Sequence, residues 1–273
     1  MTDFPKLHCP FIRQTYKVNV DQWKIHGAKL EMRSPEVRLV INRVNPGYEW
    51  VFSDPDTIAV EKLNGTNMKV QTRGGRISAI QNRKNLIDPL QVVGGRGHLL
   101  EGIFAAIDRG YLPTNGETAG ELIGPKLQGN PYKLTGHVFY PFEEAWKNLS
   151  YRSFHEHERT FDNFSTWFKT WLISRYYAKR VQKLRKDYDK NLAWGFPLAE
   201  DQVMAEGVVF INLRRRDEGK TFMAKLRRNM FDWFYTDKIE IYGYDKNNTP
   251  QPGQPIECPC CDGDIDISEL GGN

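Results

Sequence analysis

The sequence predicts an α+β fold in which antiparallel sheets carry a helical insert. Three observations predict it. Apolar residues alternate over 57–80 and the chain folds back on itself at Gly74-Gly75. Over 161–172 the period changes to three and four residues, the mark of one apolar helix face. Alternation then returns over 208–242. A chain of 273 residues, 40% of them apolar, is long enough to bury a substantial core.

In chain order, 1–50 reads as an irregular N-terminal extension, because Pro5, Pro10, Pro35 and Pro46 interrupt any long element. Ile58 and Val60 mark a first strand and Met68, Val70 and Thr72 a second. Ile77 and Ile80 mark the strand that returns after the Gly-Gly turn. Residues 99–109 have helical spacing, and 117–123 and 137–142 read as further strands. Phe161, Phe164, Phe168, Trp171 and Leu172 form the apolar helix face, and that helix is expected to continue into the basic stretch ending near Asn191. Strands are expected again at 208–211, 222–226 and 239–242. The division expected is one domain over 1–246, with a helical insert at 146–191, and a Pro/Gly/acidic tail over 247–273.

The net charge of +4 is mild and permits nucleic-acid binding without arguing for it. Its distribution says more. Segments 175–190 and 214–228 each carry seven Lys/Arg against two acidic residues. Either patch suits a phosphate backbone, and either also suits a solvated face. No run of 18 apolar residues exists and the first residues lack a signal-peptide pattern, so an intracellular chain without a membrane span is expected. Cys258, Cys260 and Cys261 supply at most part of a zinc site, completed only by distant groups such as His8 and Cys9; free thiols are the alternative. His155 and His157 fit a solvated helix start.

The chemistry begins at Lys62, at a strand end and three residues before Gly65. This places an amine in a tight turn where a phosphate can approach the backbone. Alone the signal is weak. A lysine that attacks phosphorus must be neutral, which burial and neighbouring cations favour. Carboxylates must hold ribose and metal, and further cations the phosphates. Lys225 and Arg227 alternate, so both project from one strand face. Glu121 lies in a Gly-Glu-Leu-Ile-Gly strand, and Glu206 opens Glu-Gly-Val-Val-Phe.

These segments resemble the covalent nucleotidyltransferase superfamily of polynucleotide ligases and capping enzymes, and within it the RNA ligase 2-like branch. Residues 61–67 read EKLNGTN, against the family's Glu-Lys-x-(His/Asp)-Gly-Thr-Asn. The resemblance implies that Lys62 is adenylylated and that Glu61, Asn64, Gly65 and Asn67 help form the nucleotide seat. Arg83, in Asn-Arg-Lys-Asn, falls where the family contacts the phosphate of the incoming end. The stretch GELIGPKLQGNPY resembles the family's third motif, which implies Glu121 as the ribose-binding carboxylate, and Phe142, in Phe-Tyr-Pro-Phe-Glu, falls where a ring stacks on adenine. Glu206 is implied as the metal-associated carboxylate, with Lys225 and Arg227 holding the α-phosphate. The matches run in family order from Lys62 to Arg227.

The resemblance implies an ATP-dependent RNA ligase, using ATP and Mg2+ or Mn2+ in a nucleotide cleft between the sheets. It is expected to join RNA 5′-phosphate and 3′-hydroxyl ends as a monomer. Two departures stand out. Asn64 occupies a position where Asp or His is usual, and an amide cannot exchange a proton near neutral pH. Arg227 replaces a common lysine, keeping charge but not acid chemistry. No five-strand pattern of an OB-fold module comes after Lys225, so the basic end of the insert is the candidate substrate contact. A GTP-dependent capping-type enzyme, a DNA ligase and a non-catalytic RNA-binding module of the same fold are the alternatives.

Overall fold

The computed structural model describes residues 4, 6–88, 97–188, 202–216 and 222–244. The N-terminal extension is ordered into elements, contrary to the irregular stretch expected. Strands β1 (Phe11–Lys17) and β2 (Glu36–Val44) pair antiparallel, with helix α1 (Val20–His26) between them. Pro10 and Pro35 each stand just before a strand, where a missing N–H costs no ladder bond. The prolines therefore bound these elements instead of breaking them. Asn19 caps α1, its side chain accepting from the N–H groups of Asp21 and Gln22.

A short helix, α2 (Trp50–Ser53), leads into β3 (Thr57–Lys62), β4 (Thr66–Arg73) and β5 (Arg76–Asn82). Gly74 and Gly75 both have positive φ, as a two-residue hairpin turn requires. Then come β6 (Asn85–Ile87), α3 (Gly97–Asp108), β7 (Gly116–Ile123), β8 (Val138–Pro141) and α4 (Phe142–Asn148). The chain continues through α5 (Phe161–Thr170), α6 (Arg175–Tyr188), β9 (Gly207–Asn212), α7 (Leu213–Arg216) and β10 (Met223–Arg227).

Among the described residues the β1–β2 pair is accompanied by two further sheets, both antiparallel: β10-β9-β3 and β6-β5-β4-β7-β8. This is the α+β class expected. Helix α3 covers the larger sheet, with Leu99, Ile103 and Ala106 packed on Met68, Val70, Leu122 and Phe139. The apolar face of α5 covers the smaller sheet, where Phe164 and Phe168 meet Val208, Phe210 and Leu226. A third cluster joins Val60 and Ile211 of the smaller sheet to Ile123 and Tyr140 of the larger. That cluster fixes the two sheets to each other at the base of a cleft.

Three expectations are corrected. The helix predicted to run unbroken from 161 is two helices, α5 and α6. Between them Ser174 N–H donates to Val203 O, Ala205 N–H donates to Leu172 O, and Ile173 bridges Met204. The returning chain takes the backbone groups a continuous helix would use. Trp171 consequently turns outward and is 70% exposed, off the buried face. Segment 239–242 is not a strand; it makes only an isolated bridge, Val18 to Ile241, at the end of β1. Finally, β8 stops at Pro141, and Phe142 opens α4 instead of ending a strand. The end of the insert near Asn191, and the tail with Cys258, Cys260 and Cys261, lie outside the described residues.

Candidate active site

Lys62 is the last residue of β3, and its partner across the ladder is Gly207 of β9. Gly207 is also the partner of Arg227 on β10, so Lys62 and Arg227 flank one glycine in a single row. A side chain at Gly207 has no room, since its Cβ would lie 2.2 Å from Leu226 O. Val60, Val209 and Lys225 form the next row. The alternation read in the sequence thus puts Lys225 and Arg227 on one face, beside Lys62.

Glu206 precedes Gly207 and reaches the same row. Lys62 Nζ donates to Glu206 Oε2 at 2.5 Å, and Arg227 Nη1 lies 3.9 Å from Glu206 Oε1. The Lys62 side chain is 24% exposed, so the pair is shielded yet reachable. Lys225 has its ammonium held below the usual lysine range, first by burial and then by the charges of Arg227, Lys62 and Arg13.

The larger sheet forms the facing wall. Asn67 on β4 stands opposite Glu121 on β7, and Asn67 Nδ2 donates to Glu121 Oε2 at 2.9 Å. Burial pushes the Glu121 carboxyl up to about 8; the nearby Lys62 opposes the shift and the nearby Glu206 adds to it. Gly65 makes the turn between the sheets possible, because a Cβ there would lie 2.1 Å from Leu122 O. Asn64 N–H donates to the hydroxyl of Tyr132 at 2.7 Å. Arg83, exposed and at φ +53°, donates its N–H to Asn67 O, which brings it to the rim beside Asn67.

Between these walls lies a cavity of about 430 Å3, within the range of small-molecule sites. Lys62, Glu121, Asn67, Phe142 and Lys225 all line it. Phe142, Ala145 and Trp146 of α4 give it an apolar side suited to a flat ring. A second cavity, about 280 Å3, is lined by residues of α5 and the segment before it, and its lining contains no lysine. The first is the one that gathers lysines and carboxylates singled out in the sequence.

Glu61 behaves differently from the others. It lines the cavity, yet both oxygens of its buried carboxylate are engaged elsewhere. Oε1 accepts from Ser174 Oγ at 2.6 Å and Oε2 from Tyr176 N–H at 2.8 Å. Burial pushes this carboxyl up to about 7, against those hydrogen bonds. Sequence reasoning missed Lys6, Lys69 and Glu117, which also line the cavity. Lys69 alternates with Asn67 on β4, so the strand period pointed to it; nothing local pointed to Lys6.

The donor set suits a divalent cation of the magnesium type, which takes one or two carboxylates and leaves its other positions to phosphate and water. Glu206 adds to the cost of ionising Glu121, and a cation between or beside them relieves it. Among the described residues no group of three or more His, Cys, Asp or Glu forms a closed metal cage.

Fold and site together define an α+β protein with a lysine-centred cleft of nucleotide size. No family model and no curated protein matches the chain. Among solved structures it is similar to Naegleria gruberi RNA ligase with PPi, at 20% identity and a TM-score of 0.37 over 66% of this chain and 52% of that one. It is also similar to mutants of that ligase. One mutant with ATP and Mn gives 19% and 0.35, and another with AMP and Mn gives 18% and 0.37, each over 66% of this chain and 51% of the other. The chain spans about half the length of these neighbours. At such identity and TM-score the likeness assigns neither family nor activity.

Proposed function

We propose that the protein is an ATP-dependent RNA ligase with Lys62 as its nucleophile. The observation that carries this reading is the placement of Lys62. It ends a strand in a nucleotide-sized cavity, beside Glu206 and two strand-borne cations and facing Glu121. The EKLNGTN motif and the ordered segments after it supply the reaction class.

In the first step Lys62 Nζ passes a proton to solvent and forms a bond to the α-phosphorus of ATP. The bond to the bridging oxygen breaks and pyrophosphate leaves. Lys225 and Arg227 spread the charge that develops on the phosphate. Phe142 stacks on the base and Glu121 holds the ribose, with Asn67 fixing the orientation of Glu121. A divalent cation, when bound at Glu206, adds positive charge at the α-phosphate. Lys62 must leave Glu206 to attack, so Glu206 holds the amine at the site until the nucleotide arrives. The AMP is then passed to an RNA 5′-phosphate. A 3′-hydroxyl displaces AMP and closes the phosphodiester.

RNA is placed on α6, where Lys179 and Lys183 are exposed and one turn apart on the same face. Among the described residues no helix is long and apolar enough to cross a membrane.

The deciding experiment incubates the protein with magnesium and either ATP or GTP labelled at the α-phosphate, then looks for label on denatured protein. Label from ATP that disappears in Lys62→Ala is expected. Label persisting in that variant overturns the nucleophile, label from GTP alone favours capping, and none from either overturns the enzyme reading. Offering nicked RNA, single-stranded RNA and nicked DNA then tests the substrate. Sealing of DNA alone overturns the RNA assignment.

A further inference from the structure

The geometry assigns the N-terminal segment to the same site: Lys6 and Arg13, next to Arg227 on the α-phosphate, form a subsite for the pyrophosphate end of the nucleotide. This rests on reading the cleft as an ATP site.

The order of strands carries the assignment. Lys62 stands on β3, at one edge of the sheet β10-β9-β3. At the opposite edge His8 pairs in parallel with Ala224 of β10, and Lys225 N–H donates to His8 O at 2.8 Å. The chain before β1 is thereby stitched on as the next strand position beyond β10. Neighbouring strands lie about 4.8 Å apart, so nucleophile, β10 cations and N-terminal segment succeed one another across the sheet. An in-line displacement sends the leaving group away from the attacking atom. With Lys62 at one edge and Lys225 and Arg227 on the α-phosphate, the leaving pyrophosphate points toward the other edge. Lys6 is there, lining the cavity it shares with Lys62 and Lys225.

Arg13 completes the cluster. Its Nε is buried and has no hydrogen-bond partner among the described residues, and the same is true of Arg227 Nε. Two guanidinium groups that feel each other's charge, each with an unpartnered buried donor, are costly unless an anion meets them. His8 feels the same crowding, its imidazole held below the usual range by burial and by Lys6, Lys225 and Arg13. Glu206, the carboxylate beside the row of Arg227, bonds Lys62 through Oε2 and lies 3.9 Å from Arg227 through Oε1, so it offsets the charge of Arg227 only in part. A polyphosphate is the anion whose charge and donor demand match this cluster. It also explains why the N-terminal segment is bonded to β10 at all.

The test measures binding of inorganic pyrophosphate to the full-length protein by calorimetry, alongside the ATP dependence of lysyl-AMP formation. Lys6→Ala and Arg13→Gln are each expected to weaken pyrophosphate binding by about tenfold, the loss of one charge-assisted contact. Each is also expected to raise the ATP concentration for half-maximal labelling by a similar factor. Arg13 is partly buried, so its variant is read only with an unchanged thermal midpoint; Lys6→Ala decides the matter by itself otherwise. Pyrophosphate binding within twofold of wild type in Lys6→Ala overturns the subsite. Joining of pre-adenylylated RNA releases no pyrophosphate, and a loss there as large as in labelling also overturns it. A wild type that binds pyrophosphate through Lys6 yet takes no label keeps the subsite and sinks the ligase reading instead.

Discussion

Lys62 Nζ and Glu206 Oε2 lie 2.5 Å apart, joined across the β3–β9 ladder at its last row. Both side chains are less than a quarter exposed, so little water competes for either. Glu206→Gln keeps the size and a hydrogen-bond acceptor but removes the charge. Lysyl-AMP formation should fall by about a hundredfold, the scale of losing one preorganised electrostatic contact. Rates of label transfer at saturating ATP check this. A loss of less than threefold would leave Glu206 as a bystander.

The two glycines beside Lys62 are there because the backbones meet. Gly65→Ala sets a methyl group against Leu122 O, and Gly207→Ala sets one against Leu226 O. Neither neighbour is a flexible side chain that can swing aside. Each substitution should cost about 1–3 kcal/mol of stability by overpacking. Denaturant titration measures it, with Gly74→Ala as a comparison whose cost comes from positive φ and not from a clash.

Much of this was legible in the sequence because the strands alternate cleanly. The Met68–Val70 and Val208–Phe210 faces, the Gly-Gly turn and the row of Lys225 and Arg227 all come from a period of two. Local pattern failed where a partner distant in sequence decides the outcome. The break after Trp171 depends on backbone bonds from 203 and 205, and β1 and β2 stabilise each other although each is flanked by proline. Lys6 was invisible for the same reason, since its place is set by a bridge to a strand more than two hundred residues later.

Glu61 and Glu121 make stability depend on pH in a direction opposite to most carboxylates. Their folded-state values, about 7 and about 8, stand above the ordinary 4.5 because burial disfavours the charged form. Below 4.5 both states are protonated and the full stability is present. As pH rises toward 8 the unfolded chain releases its protons first and stability falls, by at most about 1.4 kcal/mol per pH unit for each group. Glu61→Gln keeps the acceptor for Ser174 and should flatten its share of that slope. Urea titrations from pH 5 to 9 on both proteins measure the difference. Identical slopes would show that Glu61 is not the titrating group.

RNA binding through α6 predicts a salt signature. Neutralising Lys179 and Lys183 together should lower the slope of log K against log salt by about 0.7 for each charge on single-stranded RNA. Filter binding at several salt concentrations reads this directly. An unchanged slope places the phosphates elsewhere.

Helix α6 has no acidic residue in its own first turn. Its capping carboxyl comes from Glu61, more than a hundred residues earlier, which accepts from Ser174 Oγ and Tyr176 N–H. The residue next to the proposed nucleophile is thus the hinge pin of the basic helix. On the proposed reading, whatever displaces the end of β3 when the neighbouring lysine takes on a nucleotide pulls on that pin, so the loaded and unloaded forms need not offer an RNA strand the same surface.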